Sequence, residues 1–262
     1  MGLYFTWLIW LKIFILVGII FFTIFNQRLT LLRNYFIILF ILVFFEWVFF
    51  TLIRNLTAWY ALFGVADFTF NILGGQLLKL GLTSCMFLAL LSIKKRPREF
   101  FLTLGDLKAP AKKVGKIINE GTPWNKMGVI IALIIGSGVV AFLFIFNFNP
   151  SMNFSKIFGY LPLILLFAST NAFSEEFSYR CSFLSTSKDA LPRIHSLLLS
   201  AAYFGIAHYY GVPYGITGAL MSTFLGWLLG KSVLETKGLF WAWFIHLVQD
   251  IIIFTFLAAI LG

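Results

Sequence analysis

The chain has 262 residues, of which 60% are hydrophobic and only 11% carry charge. A charged fraction so far below the roughly 25% of soluble domains, with a mean hydropathy of +0.94, excludes an ordinary water-soluble domain and points to a lipid bilayer. The net charge of +10 is not a nucleic-acid signal, because the basic residues fall in short loops between apolar runs, where positive charge orients a membrane protein.

In chain order, the first apolar run extends from Leu3 to Phe25 with Lys12 inside it. It is long for the core of a signal peptide and lacks a small-residue cleavage site before Asn26-Gln27-Arg28, so it reads as a span. A second span, Tyr35 to Ile53, encloses Glu46. From Ala58 to Ile93 the pattern is broken by Asp67, Asn71, Gly74-Gly75-Gln76 and Lys79, and one span near Phe70 to Ile93 is expected. The only long polar stretch follows, with Lys94, Lys95, Arg96, Arg98, Lys108, Lys112, Lys113, Lys116 and Lys126, and is expected to be a cytoplasmic loop facing anionic lipid head groups. Five more runs complete the chain: Met127 to Phe148, Ile157 to Leu184, Ile194 to Tyr210, Tyr214 to Gly230, and Leu239 to Leu261.

With each span needing roughly 20 apolar residues, this predicts a single all-α polytopic membrane domain of about eight helices. Residues 1–126 supply the N-terminal spans and the basic loop, and residues 127–262 the chemistry. An N-terminus outside makes the loops at 26–34, 94–126, 185–193 and 231–238 cytoplasmic. Nearly all loop Lys and Arg then lie inside, with only Arg54 and Lys156 outside. Both termini are therefore expected outside. Cys85 and Cys181 form no metal or redox pattern and read as packing residues. Neither end of the chain carries a lipidation motif.

An ionisable side chain inside a span costs about 2.5 to 3.5 kcal/mol on insertion scales, so it faces the protein interior and commonly marks function. Among the later spans these residues are Glu175, Glu176 and Arg180 in one helix, His208 in the next, and His246 with Asp250 in the last. His195 lies by a charged loop and reads as a surface residue, while Lys12, Glu46, Asp67 and Lys79 have no patterned partner and read as structural or interfacial. Glu176 and Arg180 are spaced i, i+4 with the acid first, the favourable order for a helical ion pair, so they are expected to neutralise each other. Glu175, turned by about 100° around the helix, is then the spare carboxylate, and a carboxylate in an apolar setting is a useful general base near neutrality. His246 and Asp250 share a face at i, i+4, as do Phe204 and His208, with Gly205 and Ala207 permitting close helix approach. Each group alone also fits a satisfied buried hydrogen bond. A carboxylate, two imidazoles and a second acid on neighbouring helices together form a set suited to activating water.

These residues resemble a known family. "EEFSYR" resembles EExxxR, "FGIAH" resembles FxxxH, and "HLVQD" resembles HxxxN or HxxxD, the motifs of the CPBP family of CAAX proteases and bacteriocin-processing enzymes, also called Abi. The motifs stand in the family's order between about Ile157 and Asp250. The resemblance implies a metal-independent glutamate-type intramembrane endopeptidase, with its active site inside the helix bundle, that cleaves a membrane-associated peptide or protein. It assigns Glu175 as the base that activates water with help from His208, Glu176 and Arg180 as helix support beside Phe204, and His246 with residue 250 as oxyanion stabilisers. Asp250 stands where many relatives have Asn, and is expected instead to orient His246 as a cation. A multi-pass protein of a bacterial plasma membrane, with no cofactor, is expected. Two alternatives remain open: zinc held by Glu175, His208, His246 and Asp250, and a non-catalytic Abi-type role in bacteriocin self-immunity or in regulating a cell-envelope enzyme.

Overall fold

Runs of apolar residues with few polar interruptions leave the backbone one way to satisfy its hydrogen bonds in lipid, by coiling within each segment, and among the described residues those runs are helices. The computed structural model describes residues 6–65, 67–93, 95–115, 118–150, 152–211 and 213–261. Residues 3–5 of the expected first span, and Lys94 and Lys116 of the basic stretch, lie outside the described residues. The helices are α1 (Thr6–Phe25), α2 (Thr30–Trp47), α3 (Thr57–Phe63), α4 (Phe68–Ser92), α5 (Trp124–Phe146), α6 (Ile157–Glu176), α7 (Ser182–Ser187), α8 (Arg193–Ala207), α9 (Ile216–Thr236) and α10 (Phe240–Leu261). π-helical turns, Val48–Leu52 and Phe177–Cys181, extend α2 and join α6 to α7. Among the described residues, six stretches are long and apolar enough to cross a membrane: Trp7–Phe25, Thr30–Asn55, Phe68–Ser92, Trp124–Phe146, Ile157–Ser187 and Phe240–Leu261. The molecule is a multi-pass helical membrane protein.

The interrupted region before Ile93 holds one long helix, α4, preceded by the short α3. Gly74 explains part of the interruption, since a Cβ there would come within 2.5 Å of the Phe63 side chain. The glycine lets α3 lie against α4. The expected loop at 231–238 is shorter than the charge pattern suggested, because α9 runs on to Thr236. Lys231 and Glu235 are helical and buried, paired with each other at i, i+4, and Glu235 Oε2 also accepts from the Trp124 indole at 2.9 Å. Paired in this way, the two charges escape the penalty of burying either alone.

The fold divides into two compact units, the first comprising Met1–Asn55, Gly81–Leu102 and Phe177–Gly230, the second Leu56–Leu80, Thr103–Glu176 and Lys231–Gly262. In the first, α2 packs against α1 and α7. Glu46 is explained there as the acceptor for the Tyr179 hydroxyl at 3.2 Å, and Ser200 Oγ donates to the Tyr179 carbonyl at 2.7 Å. Helix α8 approaches α9 closely at Gly205, where a Cβ would come within 2.5 Å of the Ala219 carbonyl and also meet the Thr223 side chain. Gly205→Leu is therefore expected to destabilise the protein by about 1–3 kcal/mol, the usual range for overpacking, read as a lower unfolding midpoint in detergent. The solvent-side end of α8 is marked by Tyr209, Tyr210 and Tyr214, whose rings contact one another as in an interfacial aromatic belt.

In the second unit α10 packs against α6 and α5. Its core is formed by Phe68, Ile164, Phe167, Ala168, Phe254 and Ala258. The segment after Leu102, read from sequence as a lipid-facing loop, is fastened to the turn between α9 and α10. Asp106 N donates to the Thr236 carbonyl at 2.8 Å and Leu239 N to the Thr103 carbonyl at 2.9 Å. Gly105, at φ +73°, sits against Gly238 where no side chain fits. The Trp241 indole donates to the Leu107 carbonyl at 3.1 Å, so this segment braces the start of α10, the helix that carries His246 and Asp250.

Candidate active site

Packing of α6 against α10 in the second unit brings Glu175, Glu176, His246 and Asp250 into one cluster. His246 lies on the buried face of α10 with Ile245, Gln249 and Asp250, and the Trp243 indole ties the two helices by donating to the Ser169 carbonyl at 3.2 Å. The His246 ring has a different group on each nitrogen. Nδ1 lies 2.8 Å from Glu176 Oε1. Nε2 lies 3.7 Å from Glu175 Oε2 and 3.7 Å from Asp250 Oδ2. Glu176 is fully buried, and a carboxylate fixed on Nδ1 makes that nitrogen the donor and turns Nε2 toward the other two acids.

Both glutamates meet His246, Glu176 at the shorter distance. The expected orienting partner changes: Glu176, not the i, i+4 Asp250, holds the hydrogen-bonded nitrogen. After Glu176 the chain winds as a π turn over Phe177–Cys181, a form that recurs at functional sites. Within that turn the Arg180 guanidinium lies over the Phe204 ring, 3.9 Å from its centroid, in the first unit.

Glu175 does not lack a cation of its own, as the sequence suggested. Lys79 Nζ donates to Glu175 Oε1 at 2.5 Å and to Asn171 Oδ1. Asn171 in turn donates through Nδ2 to Asp250 Oδ2 at 2.9 Å and to Glu175 Oε1 at 3.4 Å. Gln76 Nε2 reaches Asn171 Oδ1 at 3.5 Å, and Gln76 Oε1 accepts from the Thr170 hydroxyl at 3.3 Å. Sequence reasoning missed Lys79, Asn171 and Gln76. The signal was present in their spacing, Gln76 to Lys79 at i, i+3 and Asn171 to Glu175 at i, i+4, each pair sharing a helix face.

His208 belongs to the first unit. It closes α8, with a non-helical backbone at φ −91° and ψ 8°, and its Nδ1 lies 2.8 Å from the Phe204 carbonyl. Its ring rests on the Phe204 ring with centroids 4.2 Å apart. Phe204 therefore touches both Arg180 and His208, giving FxxxH a packing meaning. Among the described residues no group of three or more His, Cys, Asp or Glu is arranged to hold a metal ion.

The cluster is thus a set of buried acids and an imidazole on packed helices of an all-helical, multi-pass membrane fold. Residues 157–252 match a family model described as Rce1-like, type II CAAX prenyl endopeptidase Rce1-like. That segment contains all three of the motifs quoted above. No curated protein and no solved structure matched the chain.

Proposed function

We propose that this protein is an intramembrane endopeptidase that hydrolyses a peptide bond in a membrane-associated peptide or protein, using Glu175 as the general base. The observation that carries this reading is the geometry around Glu175. One of its oxygens faces Lys79 Nζ at 2.5 Å, the other faces His246 Nε2 at 3.7 Å, and its side chain is 13% exposed. A partly accessible carboxylate between two nitrogen donors is placed to take a proton from water, while the donors stand ready for the negative charge that forms.

In this reaction Glu175 accepts a water proton as the water oxygen bonds to the scissile carbonyl carbon, and the carbonyl π electrons move to its oxygen. His246, as an imidazolium whose Nδ1–H is held by Glu176, presents its Nε2–H to that oxyanion. Collapse of the intermediate breaks the C–N bond, and the proton on Glu175 passes to the leaving amine. Asp250 accepts from Asn171 and faces His246, so its part is to position these two groups. The share of His208 in activating the water rests on the resemblance of its motif.

The test is comparative membrane peptidomics of cells carrying the wild-type protein or the Glu175→Ala or His208→Ala variants at matched expression. Peptides or shortened membrane proteins present with the wild type and missing from both variants are expected, and these products identify the substrate. Identical product sets in all three strains would point to a non-catalytic role in immunity or regulation.

A further inference from the structure

Lys79 is the ionisable residue of the cluster that no motif contains. It stands on α4, far in sequence from the residues it meets, and its ammonium bridges Glu175 Oε1 and Asn171 Oδ1. An ion pair serving stability alone has no need to be accessible, yet the Lys79 side chain is 30% exposed. It also stands on the oxygen of Glu175 opposite the one that faces His246.

We propose that Lys79 is a further catalytic group, a mobile cation that neutralises Glu175 before the reaction and the oxyanion during it. This rests on the reading of Glu175 as the base. When Glu175 takes the proton from water, one negative charge leaves its carboxylate and one appears on the carbonyl oxygen of the substrate. No net charge enters the site. The ammonium next to Glu175 therefore loses its partner at the moment when a new anion forms nearby, and a flexible four-carbon stem lets Nζ follow the charge. Asp250 is already engaged as the acceptor for Asn171 Nδ2. His246 Nε2 and Lys79 Nζ are the two nitrogens that can carry positive charge beside Glu175. Asn171 serves as the hinge, since it binds Lys79 through Oδ1 and Asp250 through Nδ2, keeping the ammonium near the centre as it moves. The bonds Lys79 makes to Glu175 and the oxyanion are ionic, and the lysine stays protonated throughout.

The experiment uses the full chain in proteoliposomes and an internally quenched, S-farnesylated CAAX peptide as the probe, comparing wild type, Lys79→Met, Lys79→Arg and Glu175→Gln. Lys79→Met is expected to lower kcat about 100-fold, the scale of removing one oxyanion donor, with KM within about three-fold of wild type. Lys79→Arg, which keeps the charge, should recover at least a tenth of the wild-type kcat. An unchanged kcat in Lys79→Met, or a loss confined to KM, overturns the proposal while leaving the base assignment standing. A Glu175→Gln kcat within about ten-fold of wild type, or a wild type that releases no product, removes the base reading and this inference with it. Should Lys79→Met fold poorly in detergent, Lys79→Gln replaces it with a neutral hydrogen-bonding side chain, and the same kcat criterion applies.

Discussion

Glu175→Gln abolishes turnover without unfolding the protein. General-base catalysis contributes about 10²–10⁴-fold, so kcat should fall by about 10³-fold, while the thermal midpoint in detergent stays near that of the wild type. The stability half of this expectation follows from exposure. The Lys79 side chain is 30% exposed and that of Glu175 is 13% exposed, so the ammonium is not sealed in the core when its partner loses its charge, and the glutamine carbonyl still accepts from Nζ. Single-turnover kinetics paired with a melting curve check both halves. A variant that is active and unstable would mean that Glu175 is a structural counter-ion and that the base lies elsewhere.

How much of the site is legible in the sequence is a question of winding and distance. The adjacency of Glu175 and Glu176, their cost in a span and their opposition to an imidazole on the last helix were legible, and so were the helices. Hydrophobic runs mark where a backbone must coil, which is why α1, α4, α5 and α10 lie where the pattern placed them. The π turn at Phe177–Cys181 was not legible, because its residues, Phe-Ser-Tyr-Arg-Cys, carry no proline or glycine to announce it. Lys79 was visible but uninterpretable, since its partners Asn171 and Glu175 lie 92 and 96 positions away. Asn171 and Gln76 carry no charge, and a polar amide in a span draws notice only once its partners are known. The burial of Lys231 and Glu235 was hidden for a related reason. The partner that makes it tolerable, the Trp124 indole, stands 111 positions away, at the far end of a loop whose basic composition suggested a solvated surface.

Glu176→Gln produces the opposite pattern, a large loss of stability with a smaller, indirect loss of activity. Glu176 is fully buried and His246 is 5% exposed, so neither the acid nor the imidazole has water to turn to when the other is removed. Breaking a buried charged pair by taking away one partner costs about 3–5 kcal/mol, enough to consume much of a typical folding stability. The remaining activity falls because the ring loses the carboxylate that holds it as an imidazolium, and Nε2–H no longer faces Glu175 in a fixed state. A double-mutant cycle separates this from a direct catalytic role. With Glu176→Gln and His246→Gln made singly and together, the stability losses should be strongly non-additive, the double variant costing little more than either single one. The loss of kcat in Glu176→Gln should vanish when His246 is already absent, because an orienting acid has nothing left to orient. Additive losses would give Glu176 a role independent of His246, and place it beside Glu175 as a second carboxylate acting on the water.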